Sequence, residues 1–151
     1  MWSIKNYRLG FDPWGLGLFL LLMLPNLLWF AFPAPDDVLR AQSVTPLADA
    51  IAQAFQITLA AALCGVVNGT RSAPAKRRWE AGVLLCAALY FAGWAAYYAA
   101  IAGPGVILTL CLAPCGAFLV FALARKNAPA LLEAGGFAIC HLIFSVVNFI
   151  L

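Results

Sequence analysis

Apolar residues run along the chain in five blocks, at 14–33, 46–67, 80–102, 104–124 and 129–151, divided by short polar connections. Each block matches the roughly 20 residues that an α-helix needs to cross a hydrocarbon core of about 30 Å. None alternates strictly between apolar and polar positions as a barrel strand would. Lipid offers no partner to an exposed peptide group, so a crossing segment must satisfy its own backbone, and a helix does. The pattern therefore predicts an all-α, five-span transmembrane bundle, a single domain over residues 1–151 with no separate soluble unit.

The interruptions within these blocks carry the next layer of information. Pro25 in span 1 and Pro114 in span 4 lack an amide hydrogen and crowd the carbonyl four residues back. They are candidate hinge points, and the freed Leu21 carbonyl has the amide of Asn26 close by. Two oppositely directed spans broken by proline, with Trp29 and Phe118 four residues on, also fit a two-plus-one-plus-two inverted repeat. In span 2, Thr45, Asp49, Gln53 and Gln56 fall in one sector of the helix at about 100° per residue, with Thr58 opposite. In span 5, His141, Ser145 and Asn148 gather within about 60° of one another, with Glu133 far below. Span 3 opposes a seam of Ala88, Ala92, Ala96 and Ala100, of the small-xxx-small kind that admits another helix, to an aromatic face of Tyr90, Trp94 and Tyr97. "PAPDD" at 33–37 reads as a rigid turn, and Pro46 opens span 2 where a missing amide costs nothing.

Composition and charge add orientation. The chain is 65% hydrophobic and only 10% charged, with a mean hydropathy of +0.94, far from the roughly 45–50% apolar usage of soluble domains. Lys5, Arg8, Arg71, Lys76, Arg77, Arg78, Arg125 and Lys126 all fall on one side of a five-span topology, with Arg40 alone on the other. Basic residues favour the cytoplasmic side, so the N-terminus is expected inside and Leu151 outside. The first apolar run exceeds a signal-peptide core and ends in "FAFPAPDD" without small cleavage-site residues, so span 1 is expected to be retained. The net charge of +3 sits beside spans, where it serves topology and lipid contact and not nucleic acid. "NGT" at 68–70 matches a glycosylation acceptor on the expected inner side and is discounted.

Cys64, Cys86, Cys111, Cys115 and Cys140 all fall inside spans, so no disulfide framework is expected. Cys111 and Cys115 share a helix face that His141 or Cys140 could join, but the spacing is commonplace, and neither a metal nor a cofactor is expected. No H-E-x-x-H, G-x-S-x-G or Gly-rich phosphate loop is present.

Counted in depth at about 1.5 Å per residue, the polar positions share the outer half of the bilayer. The sequence thus nominates an outward-facing site made of Asn26, Asp49, Gln53, Gln56, Tyr97, His141, Ser145 and Asn148, because ionisable residues inside a membrane usually face a wet interior. Its occupant would be a small solute, a cation or a proton that is bound, sensed or passed. Each of these side chains also has a purely structural use in fixing helix register. A second reading makes the chain a small subunit or scaffold that docks a membrane partner, or another copy of itself, through the alanine seam. A third, a membrane-embedded enzyme, has least support because Glu133 and His141 stand about 12 Å apart on one helix.

The stretches "NYRLGFDPWG", "MLPNLLWFAFPAPDD", "SVTPLADAIAQAFQ" and "CHLIFSVVNFIL" resemble a family of small polytopic integral membrane proteins of Gram-positive bacteria. The resemblance covers essentially the whole chain and rests on "PN" with Trp29, on "PAPDD" and on "CHLIF". It implies the bacterial cytoplasmic membrane and supplies no mechanism.

Overall fold

The computed structural model describes residues 6–69 and 77–151. A short strand β1 (Tyr7–Leu9) leads into helices α1 (Pro13–Ala31) and α2 (Pro46–Gly65), then strand β2 (Val66–Asn68), and helices α3 (Arg77–Tyr98), α4 (Pro104–Arg125) and α5 (Ala128–Phe149). All five helices are long and apolar enough to cross a membrane. Of the basic residues that suggested an orientation, Lys5, Arg71 and Lys76 lie outside the described residues, as does Thr70 of the "NGT" motif.

Proline within the first turn opens α1, α2, α4 and α5; its fixed φ suits that position and its missing amide would be unpaired there anyway. Both α1 and α4 run unbroken through Pro25 and Pro114. In α1 the Asn26 side chain turns to the Leu22 carbonyl at 3.2 Å, one residue past the Leu21 carbonyl whose partner Pro25 removes. Two ends depart from the apolar blocks. Helix α2 stops at Gly65 because the next three residues pair with β1, and α3 stops at Tyr98 because Ala100 turns the chain at φ 63°.

Helix α2 packs along α5, α5 along α4 and α4 along α3, while α1 closes the ring against α2 and, more lightly, α3. Close approach between α3 and α4 uses glycine. A methyl on Gly93 would meet Leu110 Cδ2 at 3.1 Å, and one on Gly116 would meet Cys86 Sγ at 3.2 Å. Of the alanine seam, Ala88, Ala92 and Ala100 are exposed on the perimeter and Ala96 is half-buried. Leu20, Leu24, Leu27, Ile57, Leu84, Leu85, Leu132 and Ile139 are exposed as well. Such an apolar perimeter suits a lipid solvent, in which burial of the outer face is not required.

One end of the bundle, here called the floor, is sealed by hydrogen bonds. Antiparallel β1 and β2 pair Tyr7 with Asn68 and Leu9 with Val66, and the pairing continues through Gly10 N–H to Gly65 O and Asp12 N–H to Cys64 O. Asp12 caps α1 through the Trp14 and Gly15 amides and forms an ion pair with Arg125 of α4 at 3.4 Å. Asn127, buried in the α4–α5 turn, donates to the Ala62 and Val66 carbonyls at 2.9 Å each and accepts the Ala130 amide that starts α5. Beside this plug α1 and α2 touch so closely that a methyl on Gly15 would overlap the Leu63 carbonyl.

Candidate functional site

The opposite end, the roof, carries the α1–α2 and α3–α4 connections and the end of α5. Beneath it lies a cavity of about 410 Å³ to which all five helices contribute. Helix α1 supplies Met23, Asn26 and Trp29; α2 supplies Asp49, Ala52, Gln53 and Gln56; α3 supplies Tyr90 and Trp94. Helix α4 adds Ile107, Leu110, Cys111, Pro114 and Phe118, and α5 adds Phe137, His141, Phe144 and Ser145.

Of the eight side chains nominated from sequence, six meet here: Asn26, Asp49, Gln53, Gln56, His141 and Ser145. The helical period explains the grouping, since 49, 53 and 56 on α2 and 141 and 145 on α5 each occupy one face, while Thr58 points outward. Asp49 accepts from the Thr45 hydroxyl at 3.3 Å and forms no ion pair, with His141 or any other described residue. Asn26 reaches across to α3, donating to Tyr90 Oη at 2.7 Å, and Gln56 Nε2 lies 3.1 Å from Met23 Sδ. The His141 imidazole is stacked between Phe137 and Phe144, with ring centroids 5.0 and 6.1 Å away. Ser145 is buried against Cys111.

Two nominated residues serve elsewhere. Asn148 ties the end of α5 to the entry of α2, accepting from the Val44 amide at 2.7 Å and donating to Thr45 Oγ1 at 2.7 Å. Tyr97 is fully buried and turned to the α1–α2 connection, accepting from the Leu39 amide and donating to Asp37 Oδ1 at 2.8 Å. Of the two prolines, Pro114 lies in the cavity wall, and Pro25 is buried within α1. Cys111 is in the wall too, yet among the described residues no three His, Cys, Asp or Glu side chains are grouped to hold a metal ion.

The roof depends on Asp37, which the polar pattern did not single out. Its carboxylate accepts from Trp29 Nε1 at 2.9 Å, Tyr97 Oη, Arg40 Nε at 2.9 Å and the Ala34 amide at 3.3 Å. Arg40 then donates to the Trp29 and Phe30 carbonyls at the end of α1 and lays its guanidinium 4.8 Å from the Trp29 ring centroid. Burial pushes the Asp37 carboxyl up, but the hydrogen bonds from Trp29, Tyr97, Arg40 and Ala34 outweigh it, so it titrates below the usual 3.8. Trp29 and Leu39, both held by this latch, are cavity walls.

Trp94 stands under the roof, edge-on to Tyr90 and Tyr97 with ring centroids 6.3 and 5.7 Å away. Its indole N–H is wholly covered and has no hydrogen-bond partner among the described residues. The one further acid of note, Glu133, is on the outside of the bundle, where it accepts from Thr58 Oγ1 at 2.6 Å in a shallow groove between α2 and α5.

Comparison with protein-family models, curated proteins and solved structures found no match.

Proposed function

We propose that the chain is a multi-pass protein of the bacterial cytoplasmic membrane that binds a small solute or ion in the roof cavity and senses it or passes it on. One observation carries this reading: six hydrophilic side chains from three helices converge on one cavity inside an otherwise apolar bundle. Intramembrane polar groups are costly wherever lipid surrounds them, and they collect where water or a ligand can reach. The proposed orientation puts the floor in the cytoplasm and the roof outside. Arg8, Arg78, Arg125 and Lys126 at the floor, against Arg40 at the roof, support it.

Cysteine-substitution labelling tests the reading, with the wild-type chain and its five native thiols as the background control. Gln53→Cys, at an exposed wall position, is expected to react with a membrane-impermeant maleimide in intact cells, and Arg8→Cys only after permeabilisation. The reverse order would invert the topology. An unreactive Gln53→Cys in both preparations would remove the water-accessible cavity.

The outward position of Ala88 and Ala92 favours a second reading, a subunit or homo-oligomer docked through that face. Crosslinking and mass measurement in mild detergent are then expected to give a defined complex that Ala92→Phe disrupts, and a monomer in wild type rules this reading out.

A further inference from the structure

We infer that the roof cavity is a receptor for a small organic ammonium ion with an apolar body, its charge met by Asp49 and its body held among aromatic rings. This rests on the reading of the cavity as a ligand site and narrows it to one charge and one kind of shape.

Charge comes first. Ion pairs among the described residues occupy Asp37 with Arg40 and Asp12 with Arg125. Asp49 accepts from one hydroxyl, has the His141 imidazole as its nearest titratable neighbour in the wall and forms no ion pair, and no Lys or Arg side chain lines the cavity. The other titratable groups in the wall are His141, Cys111 and Tyr90, so Asp49 is the one carboxyl there and the wall holds no permanent cation. A positive charge beside a carboxylate that faces an apolar cavity is favourable, and an organic cation in the cavity supplies one.

Hydrogen-bond polarity points the same way. Asn26 commits its amide hydrogens to the Leu22 carbonyl and Tyr90 Oη, which leaves its own carbonyl oxygen as the unengaged group. Gln56 turns its amide nitrogen to Met23, again leaving a carbonyl oxygen. Together with Asp49 these put acceptor oxygens from two helices on the cavity wall. Gln53 and His141 bring N–H donors to the wall as well, but no guanidinium or ammonium is present to greet an anion. An ammonium group carries up to three hydrogens and no acceptor, the complement of such a wall.

Shape excludes a bare metal cation. A dehydrated inorganic ion needs a cage of oxygens, whereas most of the lining here is aromatic or aliphatic, with Trp29, Tyr90, Trp94, Phe118, Phe137 and Phe144 around it. Ring faces attract organic cations and pack their hydrocarbon. The chain already displays the affinity at the roof, where the Arg40 guanidinium rests on Trp29. At about 410 Å³ the space lies within the range of small-molecule sites.

The test uses the full-length protein in detergent, with fluorescence excited in the wall tryptophans and three probes of matched size: benzylammonium, benzyl alcohol and benzoate. Benzylammonium is expected to give a saturable change at least about tenfold tighter than the alcohol, with benzoate weakest, as a desolvated charge pair implies. Asp49→Asn should abolish the preference for ammonium over alcohol. Should that variant fail to fold, Gln53→Arg, which brings a cation to the mouth, is expected to remove ammonium binding and retain that of the alcohol. Equal or tighter binding of alcohol or benzoate to wild type overturns the assignment of charge, as does ammonium binding that survives both variants. Absence of binding by all three, with Gln53→Cys still labelled from outside, overturns this inference alone. Failed labelling overturns the cavity reading beneath it.

Discussion

Asp37→Ala is expected to lower the stability of the folded protein by about 3 kcal/mol, the combined scale of several part-buried hydrogen bonds to one carboxylate. The Arg40 ion pair adds little to this, because that side chain is 39% exposed and regains water when released. For a chain of this length that corresponds to a fall of roughly 6–12 °C in the unfolding midpoint, readable by tryptophan fluorescence in detergent. Trp29 Nε1, Tyr97 Oη and the Ala34 amide lose their common acceptor together, so the roof should loosen as a unit. The same carboxylate gives a pH signature. Its folded-state pKa lies below the ordinary 3.8, so its contribution is fully present above that value and disappears as the pH falls through the folded pKa. Wild type should therefore lose stability on acidification in that window, and Asp37→Ala should lack this component. An unchanged acid profile in the variant would show that the latch contributes nothing.

Asn127→Ala should be about as damaging, because the carbonyls of Ala62 and Val66 would be left buried without its two donors and α5 would lose its cap. Two lost hydrogen bonds, with the Ala62 carbonyl keeping only the Val66 amide, and a lost cap together amount to about 3 kcal/mol. Asn127→Asp sharpens the expectation. It keeps an oxygen for the Ala130 amide but turns a carboxylate toward two carbonyls, so it should rank below alanine in thermal stability. Increased proteolysis of the N-terminal segment is the accompanying readout, since β1 is anchored to the same plug through Tyr7, whose hydroxyl donates to the Lys126 carbonyl at 3.1 Å. If Asp proves more stable than Ala at this position, the two donor contacts are not what holds the floor.

The parts of the molecule that could be read from sequence are those set by local periodicity. Five apolar runs predict five helices, and a helix face at 49, 53 and 56 or at 141 and 145 predicts which residues can share a cavity. What escaped depends on partners distant along the chain. Asp37 sits in a turn whose composition announces only rigidity, while its Tyr97 partner is 60 residues away. The floor sheet joins residue 7 to residue 68, and strands of three residues leave too little alternation to notice. Tyr97 and Asn148 share the depth of the cavity lining but point to the connections, because depth alone does not fix azimuth at a helix end. Ala88 and Ala92 form the more regular small-residue pattern, yet Gly93 and Gly116 make the contact with the neighbouring helix, since a missing Cβ allows closer approach than alanine does.

The carboxyl that Glu133 presents to the perimeter also bears on how the molecule sits in its solvent. Only residues 134 to 149 of α5 lie beyond it, about 24 Å at helical rise. That is shorter than the roughly 30 Å of an average bilayer interior. With Thr58 holding the acid against α2, its headgroup-seeking charge acts as a depth gauge. Bilayers thin enough to leave that charge at the headgroup boundary should therefore stabilise the protein over thicker ones, by fractions of a kcal/mol per Å of mismatch.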